Sequence, residues 1–551
     1  MKQHRPKLLV IGLDAASYNY LDPWFASGEL PHLSALFKRS AYGTLRSTVP
    51  PVTSVAWTSM TTGLDPGQLG IYDMVGHCPG SYNFLPATFL NTHHRAIWDL
   101  LSGKGLKSAV VGVPSTYPAH PINGVLITGF DSPINGNAHT YPADWAQELT
   151  AHNLRFPWET LDKLLKMENH RQVGQIMDTY IACWREITQA KAAITRHVWQ
   201  ESEPDFCMVV FSSTDHIVHH AASRDDVLRV YRDVDQAIGH ILESVDQENT
   251  WVMLTSDHGS LETDYLVSIY RLLHDHGWIS FRDEVALENL RWLVRRVAPR
   301  FAAPLAKFWE WAPVLLRRLL SWPVIYVEPR LQSSYGNIDW SRTAVFARDS
   351  HGPLYLNVRG REPQGCVEPG EPYEQLRSTI IAAMENTQDP QTGQPLFAWV
   401  QRGEMVYRPP YAAPPPDLVF EPADWKYKFV MGFHTHALVR PNRHDAHHYV
   451  EHGWHTPWGI FAIAGPEVQP GRLREAAIAD IAPTVLHLLA QPLPDDLAGK
   501  PIESALSPAW QEAHPVQYET YTPVQPSGTA VATEEEVAVI EDRLRTLGYL
   551  E

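Results

Sequence analysis

The run Trp251-Val252-Met253-Leu254-Thr255, followed by Ser256 and then Asp257-His258-Gly259, constrains this chain more than any other stretch. A mostly apolar segment without Pro or Gly reads as a strand buried on both faces, the kind found in parallel sheets. At its carboxyl end stand a carboxylate and an imidazole side by side, then a glycine that lets the backbone turn. Open α/β sheets bind ligands at that end of their strands. An adjacent Asp and His suit a borderline metal such as zinc. A strand-to-helix turn with Asp257 as the N-cap would give the same letters, so the motif needs company.

Three more places supply it. Lys7-Leu8-Leu9-Val10-Ile11-Gly12 reads as a first strand after Pro6 and runs through Leu13 to Asp14. Phe206-Cys207-Met208-Val209-Val210-Phe211 leads through Ser212-Ser213-Thr214 to Asp215, with His219 four residues on. That spacing puts Asp215 and His219 on one face of a helix starting there. The third place is reversed in order, because Trp454-His455-Thr456-Pro457 precedes the strand at 459–465. Six such residues beside strands are hard to explain as six separate caps.

The chain has 551 residues, which leaves room for one large α/β domain with an insertion or for two to three domains. A hydrophobic share of 44% supports a sizeable core, and a net charge of −17 argues against nucleic acid as a partner. An acidic protein still binds phosphates if bound metal supplies local positive charge. Cys78, Cys183, Cys207 and Cys366 are scattered, so a reducing, cytoplasmic setting fits better than a disulfide framework. No signal peptide is visible, and no apolar stretch reaches the length of about 18 residues expected of a spanning helix.

Strands and helical stretches alternate over 1–262, the mark of a parallel sheet with crossover helices. Lys107–Pro114 is another strand of this part, and 170–200 reads helical. The character changes after 262. The stretch 291–318 is basic and amphipathic but broken by Pro299, Pro304 and Pro313; 346–430 is rich in Pro and Gly. We expect an α/β core of 1–262 and 431–505, an inserted cap of 263–430, and a tail of 506–551 with a helix from Glu534 to about Leu547. The basic stretch suits a membrane surface or a cap packed over the site, and the cap is favoured.

Thr48–Gly63 is the second informative segment. Pro50 and Pro51 stop any preceding helix, Thr53 sits where an N-cap belongs and Gly63 where a C-cap belongs. Thr53 as a mere cap is the plain reading. The same geometry also places a hydroxyl at the positive end of a helix dipole beside free N–H groups, a good phosphate site. A metal bound to that hydroxyl would make it a nucleophile.

Together these pieces resemble the alkaline phosphatase superfamily, in its type I phosphodiesterase/nucleotide pyrophosphatase-like branch. The matching residues are Gly12-Leu13-Asp14, Pro50-Pro51-Val52-Thr53, Thr62–Gly67 on to Gly70-Ile71, Thr214-Asp215 with His219, Ser256–Gly259, His455 with Gly459-Ile460, and Asp480–Thr484 as a late core helix. The order of the pieces over roughly 7–500 makes the likeness specific. It implies a mostly parallel central sheet with helices on both faces, a phosphate ester as small-molecule substrate, and a phospho-Thr53 intermediate. It also implies two divalent ions, zinc by preference or manganese. One would be held by Asp215, His219 and His455, the other by Asp14, Asp257, His258 and the Thr53 oxygen.

One departure stands out: Gly70-Ile71 is followed by Tyr72-Asp73-Met74, where nucleotide pyrophosphatases carry an Asn that holds the phosphoryl oxygen. The backbone N–H of Ser54 remains to serve. The sulfatase signature is absent at Thr53. Of the histidines at 434–455, only His455 fits the pattern, and His434, His436, His444, His447, His448 and His452 read as solvated. The rival readings are transfer of a phospho group to an acceptor other than water, and a non-catalytic metal-binding protein of the same fold.

Overall fold

The computed structural model describes residues 5–77, 80–82, 84–86, 95–133, 138–169, 173, 176–221, 223–282, 338–431, 437–442 and 453–521. The basic stretch 291–318, Cys78, the six histidines read as solvated and the helix expected from Glu534 lie outside these residues.

Among the described residues, ten strands form the main sheet: β1 (Lys7–Leu13), β2 (Ala41–Arg46), β3 (Ser108–Val113), β4 (Gly124–Thr128), β5 (Thr140–Tyr141), β6 (Phe206–Phe211), β7 (Thr250–Thr255), β8 (Trp458–Ala464), β9 (Gly471–Arg472) and β10 (Ala476–Ala477). Their order is β9-β2-β8-β7-β1-β6-β3-β4-β5, with β10 paired to β2. The central run from β7 to β4 is parallel throughout. β8 runs antiparallel to both β7 and β2.

The unbroken apolar runs follow from burial on both faces. Leu8 and Val10 of β1 pack in one layer with Trp57, Met60 and Trp98; Leu9, Ile11 and Leu13 pack in the opposite layer with Tyr180, Trp184 and Tyr231. The period of two along the strand therefore feeds two cores instead of one core and solvent. Helix α1 (Thr53–Thr62) and α5 (Ile481–Leu488) cover the first face. On the second lie α2 (Met177–Ser202) and α4 (Arg224–Leu242), and the short α3 (Ser213–His220) follows β6. Fully burying one such Leu, Ile or Val contributes about 1.5–3 kcal/mol. Gly12 lets α1 approach β1: a Cβ there would stand 2.5 Å from the Trp57 ring and 2.9 Å from Val210.

Between β7 and β8 the chain builds a third apolar core from residues such as Val267, Phe346, Leu354, Ile380, Leu418 and Phe429. Two small sheets enclose it. One orders Tyr427–Val430, Tyr265–Ser268 and Val439–Pro441; the other orders Val345–Ala347, Pro353–Leu356, Leu418–Pro422 and Phe397–Arg402, backed by the helix Glu371–Glu385. This part ties back to the main body through Arg46 with Glu421 at 2.9 Å and Tyr72 Oη donating to the Ala413 carbonyl at 2.6 Å.

Candidate active site

The parallel strands all end on one edge of the sheet, and the chemistry collects there. Asp14 follows β1, Asp257 follows β7 by one residue, and Asp215 opens the first turn of α3 after β6. His219 lies one turn further along α3, and its Nε2 comes within 3.2 Å of Asp215 Oδ1. His455 reaches the same edge from the other side. It lies on the short strand Gly453–Thr456, paired antiparallel with Gly259–Glu262, just before β8. Because β8 runs against its neighbours, its start lies beside their ends. That is why this histidine precedes its strand while the other groups follow theirs.

One alternative reading falls and one expectation needs correction. Asp257 caps no helix: the chain passes directly into the strand Gly259–Glu262. Gly259 is needed for close approach, since a Cβ there would lie 2.1 Å from the Trp458 carbonyl oxygen. Nor is Thr53 the N-cap of α1. Val52 holds that position with φ −122° and ψ 134°, and no side chain caps the helix. Thr53 is the first helical residue, 2% exposed, and its Oγ1 lies 3.3 Å from His258 Nε2. Gly63 does close α1, with φ +70°.

The site residues fall into two buried groups. In each of them one ligand atom per residue lies within 4.8 Å of the others: Asp215 with His219 and His455, and Asp14 with Asp257 and His258. The groups adjoin, because the His258 and His455 rings stack at 3.9 Å. His219 Nε2 and His455 Nε2 face each other at 3.0 Å. His455 Nδ1 lies 3.0 Å from the Pro51 carbonyl, and His258 Nδ1 lies 3.1 Å from the Gly259 carbonyl. A carbonyl only accepts, so both Nδ1 atoms carry the proton and both Nε2 atoms turn a lone pair into the site. Burial holds both imidazoles below their ordinary pKa, hence neutral and ready to ligate.

The carboxylates point the same way. Among the described residues, neither oxygen of Asp14 nor Oδ2 of Asp257 receives a hydrogen bond of normal geometry, although both residues are at most 1% exposed. Burial, with the neighbouring aspartates adding to it, raises both acids well above the usual carboxylate range. Burial also acts on Asp215, but the His219 and His455 imidazoles outweigh it and hold that acid well below the range. Unpaired buried oxygens beside neutral imidazole lone pairs are a donor set that fits divalent cations.

The N-terminus of α1 completes the edge. Its first intrahelical bond runs from Ala56 N to the Val52 carbonyl at 2.8 Å, so the N–H groups of Thr53, Ser54 and Val55 precede the helical ladder. Ser54 Oγ donates to Met74 Sδ at 3.1 Å.

Sequence reasoning missed a third group next to these two. His351 Nδ1 lies 3.2 Å from Asp73 Oδ1 and 3.3 Å from Asp349 Oδ1. Its ring lies parallel to Trp454 at 5.1 Å and 6.0 Å from His455. The only sequence signal was Asp73, visible where an Asn was missing. His351 comes from a Pro- and Gly-rich stretch with no periodic pattern.

A mostly parallel sheet whose strand ends gather these groups beside a third core defines the alkaline phosphatase-like fold. Solved structures agree. A variant of the alkaline phosphatase PafA aligns at 13% identity over 92% of this chain and 100% of its own, with a TM-score of 0.52. Phosphonoacetate hydrolase from Sinorhizobium meliloti 1021, solved with phosphonoformate, aligns at 14% identity over 87% of this chain and 94% of its own, with a TM-score of 0.51. No curated protein matches the sequence. The family model for type I phosphodiesterase / nucleotide pyrophosphatase matches residues 8–310, and the chain belongs to that family. It is accordingly a phosphoric ester hydrolase. Among the described residues, no helix is long and apolar enough to cross a membrane.

Proposed function

We propose that the chain hydrolyses small-molecule phosphate esters through a covalent phospho-Thr53 intermediate at a pair of divalent ions. Asp215, His219 and His455 would hold one ion; Asp14, Asp257, His258 and the Thr53 oxygen would hold the other. The mixed His and Asp donors suit zinc, with manganese the alternative given three carboxylates. Bound there, the ions would favour the Thr53 alkoxide and offset charge on the phosphate oxygens. Three aspartates against two divalent ions leave one net positive charge while Thr53 is neutral, and none once it ionises.

The chain's own residues do the rest. Thr53 Oγ1 attacks phosphorus in line, its bond to phosphorus forms, and the bond to the ester oxygen breaks as the alcohol leaves. Water then displaces Thr53 from phosphorus and frees phosphate, or a phosphate monoester if the substrate was a diester. Two inversions retain configuration at phosphorus. The N–H groups at the start of α1, Ser54 among them, suit a phosphoryl oxygen. The histidines keep their orientation through the Nδ1–H bonds to the Pro51 and Gly259 carbonyls.

The observation that carries this reading is the placement of Thr53 Oγ1, 3.3 Å from His258 Nε2 at the edge shared by both ligand groups. Turnover of aryl phosphate mono- and diesters, with and without chelator, tests it. We expect hydrolysis that chelation abolishes and metal restores. Bound metal without turnover of any ester would favour a binding protein, and turnover only with an added alcohol would favour a transferase.

A further inference from the structure

The helix that carries Asp215 and His219 carries a second pair at the same spacing. His216 and His220 stand one residue further along α3, turned about 100° round its axis. They meet Glu168, near the end of the helix Trp158–Asn169. Glu168 Oε1 lies 3.1 Å from His216 Nδ1 and 3.5 Å from His220 Nε2. One ligand atom from each of the three residues lies within 4.8 Å of the others. The three side chains are between 4% and 10% exposed.

Helix α2 closes the group from a third side. Tyr180 Oη donates to Glu168 Oε1 at 2.6 Å, and the ring of Trp184 lies 4.7 Å from that of His216. His220 meets the Tyr180 ring edge to face at 5.4 Å. A hydroxyl bonded to a carboxylate fixes which way that carboxylate faces, as the outer partners of metal ligands do.

A carboxylate this deeply buried needs positive charge beside it, from a proton on an imidazole or from a cation. The spacings favour the cation. An imidazolium bonded to a carboxylate stands about 2.7–2.9 Å away, shorter than either distance here. Ligand atoms about 2.0–2.1 Å from a tetrahedral zinc ion stand about 3.3 Å apart, and the two distances to Glu168 Oε1 bracket that value. The Asp215 group has the same make-up, one carboxylate and two imidazoles. Its spacings are nearly the same, 3.2 Å to His219 and 3.4 Å to His455. Two imidazoles and a glutamate are a donor set that zinc accepts, with its remaining position open to water. Glu148, His152 and His197 repeat these residue types at the surface, but Glu148 and His152 are exposed, so water offsets the charge there.

We propose that Glu168, His216 and His220 hold a divalent cation of the zinc type, separate from the pair at Thr53. The ion pins the helix Trp158–Asn169 to α3, and so steadies the helix that presents Asp215 and His219. It takes no part in making or breaking bonds.

The test counts ions in full-length protein purified without chelator and equilibrated with zinc. Glu168→Gln keeps the size of the side chain and removes its charge, on a helix that bears none of the ligands at Thr53. It should hold one ion fewer than wild type and keep chelator-sensitive turnover. Zinc returned to chelated protein should raise the melting temperature less in this variant than in wild type. Equal ion counts in the two proteins would overturn the proposal and leave Glu168 in a plain ion pair. An ion lost together with all turnover would overturn it too, since that ion would belong to the pair at Thr53. Anomalous diffraction from wild-type crystals grown with zinc needs no variant. A peak bounded by Glu168, His216 and His220 is expected, and its absence overturns the proposal whatever is bound at the Asp215 group. A peak here with none at Asp215 or Asp14 would remove the metal pair from the hydrolytic reading and leave this site standing.

Discussion

The two ligand groups are built from the same residue types in opposite proportion. Asp215 sits between two imidazoles, while His258 sits with two carboxylates. The difference shows in their acids: the histidines hold Asp215 well below the usual range, whereas burial and mutual repulsion push Asp14 and Asp257 well above it. The first group can partly compensate its own charge. The second cannot, since among the described residues no hydrogen bond of normal geometry reaches either Asp14 oxygen or Asp257 Oδ2. Thr53 lies against this second, needier group. Nucleophile and unbalanced charge therefore share one place, which is where a cation would do most for both.

The sharpest test of that pairing is Thr53 itself. If it is the nucleophile, Thr53→Ala should lower kcat by about a thousandfold or more, with metal content unchanged. Because its hydroxyl caps nothing, the stability loss should stay below the roughly 1 kcal/mol expected of a lost cap. Thr53→Ser should keep part of the activity. Near-normal turnover in Thr53→Ala would detach the nucleophile from the carboxylate-rich group and remove the covalent mechanism.

Next come the aspartates, whose substitutions should differ in sign. In chelator at neutral pH, Asp257→Asn should raise the melting temperature, because it removes an uncompensated buried charge. One unit of raised pKa corresponds to about 1.4 kcal/mol. With metal present the same variant should be less stable than wild type and should hold one ion fewer. Asp215→Asn should be destabilised in both conditions, since it strands two imidazoles without their carboxylate. Two variants that shift in the same direction without metal would show that the groups do not differ as described.

The pH dependence of the chelated protein sharpens the same point. Asp14 and Asp257 have folded pKa values above the ordinary 3.8, so their contribution to stability is complete below that value and is lost as pH rises through the folded values. Asp215 is the reverse: it contributes above 3.8, and the contribution is lost as pH falls through its depressed folded value. Between about pH 4 and neutrality the carboxylate-rich group should thus add to the decline while Asp215 does not. Melting curves across this window should fall less steeply for Asp257→Asn than for wild type. Identical slopes would refute the assignment.

Why one part of the site was legible in the sequence and another was not has a physical basis. Asp14, Asp215 and Asp257 close apolar runs that local burial makes visible, and a parallel sheet places such ends together whatever lies between them. His455 was readable as a neighbour of a strand, but its reversed order made sense only once β8 proved antiparallel to β7. Thr53 was one position off as a cap, because the extended backbone of Val52 already served that role. His351 and Asp349 left no trace, since they sit in a Pro- and Gly-rich stretch and meet Asp73 only through the folding of the third core. A contact of that separation has no local period to announce it.

The smallest effect we expect concerns the backbone that holds the two sides in register. β1 carries Asp14 at its end and packs against α1, which carries Thr53, at a spacing only Gly12 permits. In Gly12→Ala the new Cβ meets the rigid Trp57 ring at 2.5 Å and Val210 at 2.9 Å, so α1 must shift. Overpacking of this kind costs about 1–3 kcal/mol. If Asp14 and Thr53 act on one substrate, the shift should also lower kcat, while Asp215, His219 and His455, which do not ride on α1, keep their ion. Catalysis should therefore suffer in fully folded protein, assayed well below its melting temperature with metal content measured alongside. A variant that loses stability yet turns over substrate at the wild-type rate would show that the spacing between β1 and α1 matters to the core and not to the chemistry.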